Sequence, residues 1–245
     1  MKTRILYEDA QLLIIYKPTG LATQTSQLMQ EDVVGELKNY LRSPYIGVIH
    51  RLDQPVEGLL VFARDRKTAA ALTAQMQDGM VRKEYRAVSY GTPGEIWGDL
   101  APGEVTDVGH TRIERMTSGW KLRTFLRKVG AGVGAAVDAS DPEGRESILN
   151  LEQVATRDGC TLWKVRLETG RFHQIRLQLS DSGLPLLGDV KYGSDESRRK
   201  SDELGVNDGV SLCADYIEVL NPKTKKRLEQ RIEPQGKAFS IFRIA

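Results

Sequence analysis

Asp53 stands in the polar insert of Tyr45-Ile46-Gly47-Val48-Ile49-His50-Arg51-Leu52-Asp53-Gln54-Pro55-Val56-Glu57-Gly58-Leu59-Leu60-Val61-Phe62-Ala63-Arg64, between two apolar runs. Each run is short, β-branched or aromatic and bounded by breakers, the pattern of strand, irregular loop, strand. Pro55 keeps Gln54 and its neighbours out of a helix, and Gly58 permits a tight path back into a sheet. A carboxylate on so stiff a loop can sit within a fraction of an ångström of its target, as a nucleophile or general base must. An ordinary turn aspartate has the same letters. Glu57 adds a second carboxylate, and paired carboxylates are also the equipment of a glycosidase-like hydrolase.

Further stretches hold groups that suit such chemistry. Lys17-Pro18-Thr19-Gly20 closes an apolar run and, alone, reads as a Pro-Gly turn with a solvated lysine. Val81 to Tyr90 alternates and interleaves Lys83, Tyr85 and Arg86. That is the composition of a surface that holds phosphates and stacks a base, and also of an ordinary exposed strand. Leu167 to Leu179 predicts a turn at Thr169-Gly170 and a short helix with Phe172, Ile175 and Leu179 packed inward. Arg176 on that helix, held by the packing around it, can aim at a buried carboxylate; taken alone, it reads as an ordinary surface arginine.

The elements that must position these residues follow from periodicity. Lys2 to Tyr16 predicts two strands turning at Glu8-Asp9-Ala10. Asp32 to Arg42 predicts a helix with Val33, Leu37, Tyr40 and Leu41 on one face, stopped by Pro44. A second helix starts at the cap Asp65, buries Ala69, Leu72 and Met76, and ends before Gly79. Ser147 to Ala155 and Thr161 to Glu168 predict strands joined at Asp158-Gly159, and Ser211 to Leu220 with Leu228 to Ile232 predict a hairpin. From Gly91 to Arg145 the pattern weakens, and strands or a solvated excursion fit equally. His110 there is read as a bystander, and Asp195 to Asp208 as an exposed or flexible connection.

His50-Arg51-Leu52-Asp53 followed by Gly58-Leu59-Leu60, then Thr169-Gly170-Arg171-x-His173-Gln174-Ile175-Arg176 and Gly188-Asp189-x-Lys191-Tyr192-Gly193, resembles the RluA-type RNA pseudouridine synthases. The resemblance covers most of the chain, from about Lys17 to Pro234. It implies an α+β fold: a mixed, largely antiparallel sheet in two sub-lobes with flanking helices and a central RNA-binding cleft. It implies isomerisation of uridine to pseudouridine in structured RNA, with the target base flipped out and no cofactor or metal. By the same resemblance Asp53 carries the chemistry, Arg176 pairs with it, and Tyr85 and Leu212 sandwich the base. Lys17 is expected near the catalytic loop, with His50, Arg51, Arg171, His173 and Gln174 as substrate contacts. Arg51 is the candidate to fill the vacated space or hold the flipped phosphate. The chain departs from the family at Val56-Glu57, where a small pair is usual; hence the hydrolase alternative using Asp53 and Glu57, which leaves the Thr169 to Arg176 block unexplained. A catalytically silent RNA-binding protein is the other alternative, and the intact Asp53, Tyr85 and Arg176 argue against it.

A chain of 245 residues with 40% hydrophobic content is long enough for one large core or two packed subdomains. A net charge of +2 neither requires nor excludes a nucleic-acid partner. The apolar runs Leu12 to Tyr16 and Gly58 to Ala63 are too short to span a bilayer, and no signal-peptide core is present. Cys160 and Cys213 have no metal-ligand spacing and read as packing residues. The expectation is one catalytic domain over 1–245 without a separate N-terminal RNA-binding domain, a cytoplasmic monomer whose partner is a ribosomal or transfer RNA stem-loop. Arg112 to Lys128, Arg198 to Lys200 and Lys223 to Arg227 are the candidate phosphate-tracking residues.

Overall fold

The computed structural model describes residues 1–25 and 30–242. In chain order the first strands are β1 (Arg4–Glu8), β2 (Leu12–Lys17), β3 (Gly47–Val48), β4 (Glu57–Ala63), β5 (Arg82–Tyr90), β6 (Val105–Val108) and β7 (Thr111–Arg115). There follow β8 (Trp120–Gly130), β9 (Val133–Val137), β10 (Arg145–Arg157), β11 (Cys160–Leu167), β12 (Leu212–Leu220) and β13 (Arg227–Arg231). The helices are α1 (Val33–Leu41), α2 (Arg66–Gln77), α3 (Pro93–Trp97), α4 (Gln174–Asp181) and α5 (Asp195–Glu203). This is the mixed, mostly antiparallel α+β architecture expected. Among the described residues no helix is long and apolar enough to cross a membrane.

The chain divides into two compact units, Met1–Glu84 with Cys213–Gln235, and Tyr85–Leu212 with Gly236–Ala245. In the first unit β1, β2, β4 and β12 lie in that order, with β3 on β4 and β13 on β12. Strands β2 and β4 are buried along their whole length, because both of their faces are covered. Leu12, Ile14, Leu59, Val61, Leu72, Ile217 and Val219 form the core on one side, with α2 contributing Leu72. Asp65 caps α2 by accepting from the Thr68 N–H at 2.8 Å, a contact typically worth about 1 kcal/mol. The pair β4 and β12 is parallel, with Ala214 opposite Gly58. A Cβ at Gly58 (φ +135°) would lie 2.5 Å from the Ala214 nitrogen, so only glycine allows this approach. Helix α1 buries Val33, Val34 and Leu37. Tyr40, expected inward, is 52% exposed and bonds Glu8 through its hydroxyl. The helix ends at Arg42 in the left-handed region (φ 48°), two residues before Pro44.

The second unit orders its strands β5, β11, β10, β8, β7, β6, with β9 also on β8 and every pair described antiparallel. The stretch from Gly91 to Arg145, where the pattern weakened, is thus a short helix and ordered strands. Thr111, Thr124 and Ser147 point inward and are fully buried, which interrupts the apolar alternation. They are hydrogen-bonded instead: Thr111 Oγ1 to Thr124 Oγ1 at 2.7 Å, and Gln178 Nε2 to Thr124 Oγ1 at 3.2 Å. Asp195 to Glu203, expected as part of an exposed or flexible connection, is the largely exposed α5. Its buried positions are Ser197 and Ser201, so no apolar stripe announced it. Both cysteines are buried and free.

Candidate active site

In the first unit the Asp53 loop is held chiefly through its backbone by the segment after β2. Gln54 C=O accepts from the Gly20 N–H at 2.9 Å, and Gln54 Nε2 returns a bond to Gly20 C=O at 3.0 Å. Thr19 Oγ1 donates to Pro55 C=O at 3.0 Å. Thr23 Oγ1 donates to Leu52 C=O at 2.9 Å and accepts the Leu52 N–H at 3.1 Å. The turn closes with Val56 N–H on Asp53 C=O at 3.1 Å. Residues on both sides of Asp53 are therefore fixed, and the half-buried aspartate rides on a rigid support.

Lys17 is at the centre of this staple. Far from being solvated, it is fully buried, with Nζ donating to the carbonyls of Leu21 at 2.6 Å, Pro18 at 2.9 Å and Gln54 at 3.2 Å. Three acceptors match the three protons of an ammonium. Burial pushes its pKa down to about 7, against the opposing pull of the Asp53 and Glu57 charges. His50 accepts the Val61 N–H on Nε2 at 3.3 Å. Burial, then the Lys83 charge, holds its pKa well below the usual value, so it is a neutral ring fastening the loop to β4. Arg51 is exposed.

Glu57 is buried in β4, where it accepts from the Tyr16 hydroxyl at 2.6 Å and from the Gln235 N–H at 2.9 Å. Burial, and secondarily the Glu57 carboxylate, raises the Tyr16 phenol far above its ordinary value, keeping it a donor. A hydrolytic carboxylate must reach water and substrate. Glu57 instead ties β2 and the segment after β13 to β4, which removes the ground for the hydrolase alternative.

In the second unit Arg176, on α4, is buried rather than on the surface. It grips Asp189 with both forks, Nε to Oδ2 at 2.7 Å and Nη2 to Oδ1 at 2.8 Å. Asp189 Oδ1 also accepts the N–H groups of Lys191 at 3.0 Å and Tyr192 at 3.1 Å, and the Tyr192 ring lies 5.0 Å from the guanidinium. Gly188 (φ +72°) lets this loop pass Gly209, whose carbonyl oxygen would lie 2.0 Å from an added Cβ. The motif Gly188 to Gly193 is therefore the cradle of Arg176, a role sequence reasoning did not assign to Asp189 or Tyr192. The signal was the motif Gly188-Asp189-x-Lys191-Tyr192-Gly193 itself, which carried the resemblance but no role for its aspartate.

Gln174 is buried, with Oε1 accepting from Thr169 Oγ1 and from the Arg171 N–H, each at 2.9 Å, and Nε2 donating to Ile148 C=O at 3.1 Å. Its amide stiffens the turn that launches α4. His173 sits in the left-handed region (φ 53°) with Nδ1 2.7 Å from Tyr192 Oη. Arg171 is exposed, its Nε 3.2 Å from Glu146 C=O. Phe172 precedes the helix and is exposed, not inward. Tyr85, opposite Val165, and Leu212 are buried side chains of this same unit.

The chain is similar to known proteins in sequence and fold. The family model described as RNA pseudouridylate synthase matches residues 11–181. An uncharacterized RNA pseudouridine synthase of Zymomonas mobilis is 31% identical over 78% of each chain. The tRNA pseudouridine synthase C of Haemophilus ducreyi is 28% identical over 93% of this chain and 89% of its own. The ribosomal large subunit pseudouridine synthase D of Pseudomonas aeruginosa is 30% identical over 79% of this chain, which spans 54% of that relative's length. Two other large-subunit relatives are spanned to 64% and 57%. The solved human RNA pseudouridylate synthase domain containing 1 aligns with a TM-score of 0.68 at 18% identity, over 95% of this chain and 83% of that one, a likeness of fold. With the family match running from Gln11 to Asp181, through both the Asp53 loop and the Arg176 helix, the chain belongs to the RNA pseudouridylate synthase family.

Proposed function

We propose that this chain isomerises specific uridines of structured ribosomal or transfer RNA to pseudouridine, with residues 1–245 acting as one catalytic domain. The observation that carries this reading is the Asp53 carboxylate on a loop fastened at Leu52, Gln54 and Pro55, inside the matched family region. The N1–C1′ bond breaks, the uracil turns, and C5 joins C1′, with the C5 proton lost and one gained at N1. Nothing is added or removed overall, so the stoichiometry asks for no cofactor. Asp53 acts as the nucleophile at C1′ or C6, or as the base that takes the 2′ proton.

Reaching a stacked uridine requires its extrusion, at a cost of a few kcal/mol. Tyr85 and Leu212 recover part of this by flanking the base, stacking being worth about 1 to 3 kcal/mol. Arg176, by resemblance, is the charge partner of Asp53, and Asp189 fixes its orientation. Lys17, His50 and Gln174 position the motifs, their polar atoms being engaged by the protein's own backbone. Arg51, Arg171 and His173 are the candidates to touch RNA. Of the basic clusters, Arg198, Arg199 and Lys200 are matched by Asp195, Glu196 and Glu203 along α5, so they offer less to phosphates than their number suggests.

A pseudouridine map of total RNA from cells with and without the gene tests the proposal. The expected result is the loss of one or a few sites in ribosomal or transfer RNA. An unchanged map in every RNA would contradict it.

A further inference from the structure

We infer that Phe172, with Lys128 beside it, is a stacking site for an unpaired base of the substrate RNA, at a nucleotide other than the target uridine. The inference rests on the proposed RNA-modifying function and adds a contact to it. Phe172 keeps 39% of its surface exposed although it lies inside a motif whose next residues are mostly buried. Its ring is stacked on the His173 imidazole, centroids 3.7 Å apart and planes 21° from parallel. The Lys128 ammonium lies over the ring, 5.5 Å from its centre, on a long exposed side chain that an arriving base displaces toward its own phosphate.

The platform is rigid. His173 Nδ1 lies 2.7 Å from Tyr192 Oη, which also accepts the Gly134 N–H at 3.0 Å. Lys191 Nζ donates to Gly132 C=O at 2.5 Å, so the β8–β9 hairpin and the Gly188 to Gly193 loop are tied together around the ring pair. Gly134 has no side chain to cover the ring; a Cβ there would stand 3.5 Å from Phe172 Cδ1.

A lone exposed phenylalanine is ordinary. Here the ring is already stacked on another, exposed Val129 and Val133 lie on the neighbouring hairpin, and Lys128, Arg171 and Lys191 supply positive charge. A π-face for a base beside cations for its phosphates is the chemistry of single-stranded nucleic-acid binding. A protein partner would have to bring carboxylates to meet those cations, whereas an RNA strand carries matching charge at every nucleotide.

The test uses fluorescence anisotropy with end-labelled oligouridylate, oligoadenylate and the same sugar–phosphate chain made abasic, over a series of salt concentrations. Phe172→Ala is expected to weaken binding of both base-bearing oligomers by about 5- to 100-fold and to leave the abasic chain unchanged, while Phe172→Tyr stays near wild type. Lys128→Ala is expected to reduce the salt slope by about one. Circular dichroism melts verify that each variant is folded. Equal affinity of wild type and Phe172→Ala for base-bearing RNA, or equal weakening on the abasic chain, would overturn the stacking site. Wild type that binds no oligomer but forms pseudouridine in RNA from gene-deleted cells would overturn the stacking site and leave the synthase reading standing. Wild type that does neither would overturn both.

Discussion

Arg176 commits Nε and Nη2 to Asp189, and both side chains are buried. Removing one member of such a pair leaves an uncompensated charge, so Arg176→Met is expected to cost about 3 to 5 kcal/mol in denaturant unfolding. Arg176→Lys keeps the charge but not the planar fork; most of the stability should remain while turnover falls more than about tenfold. Melts and single-turnover rates on the same preparations separate the two effects, and a fully active Arg176→Met would show that the guanidinium does no work. Glu57→Gln keeps an acceptor for the Tyr16 hydroxyl but loses charge-assisted bonds. It should lower stability by about 1 to 3 kcal/mol and largely spare pseudouridine formation. Loss of all activity in a folded Glu57→Gln protein would reopen a chemical role for this carboxylate. Motif spacing singles out Asp53 and Arg176 in the sequence as candidates. Asp189 stood in a recognised motif, but its pairing with Arg176 was not legible, because a carboxylate beside glycine reads like any turn.

At the scale of the element, the Lys17 staple makes a pH prediction. The Lys17 pKa is about 7 in the folded chain against an ordinary 10.5. Between those values the unfolded chain binds the extra proton, so this residue makes the fold more stable as pH rises through that window. Below about 7 both states are protonated and the dependence ends. Lys17→Met should therefore flatten the slope of unfolding free energy between pH about 7 and 10, measured by denaturant titration, while lowering stability by stranding the carbonyls of Pro18 and Leu21. A slope identical to wild type would mean that Lys17 titrates normally. The strands and α2 were readable because apolar alternation and the Asp65 cap are local signals. The β6 to β9 region was not, since inward Thr111 and Thr124 find polar partners that only the folded sheet supplies. Helix α5 docks through Ser201, whose hydroxyl accepts the Gly188 N–H, and leaves no apolar period to detect. Phe172 fitted a helical face on spacing, but the left-handed His173 starts the helix after it.

For the whole molecule, the α+β class was implied by the resemblance to the synthase family, and the strand patterns interrupted by short helices agree with it. Two sub-lobes were part of the same expectation, but the points of division were not legible, because the chain passes between the units inside β5, at Glu84 and Tyr85, and inside β12, at Leu212 and Cys213, where the strand pattern is continuous. The family match likewise runs through both units, from Gln11 to Asp181. The account stands on the isomerisation of uridine by a fixed carboxylate. Its most direct test is single-turnover release of tritium from RNA labelled at uridine C5, comparing wild type with Asp53→Ala and Asp53→Asn. Wild type should release tritium with the RNA chain intact and no free uracil, and both variants should bind RNA with near-normal affinity, since phosphate contacts supply most of it, but release none. Asp53→Ala turning over within about tenfold of wild type, a difference of only about 1.4 kcal/mol in barrier, or free uracil from the wild type, would contradict it.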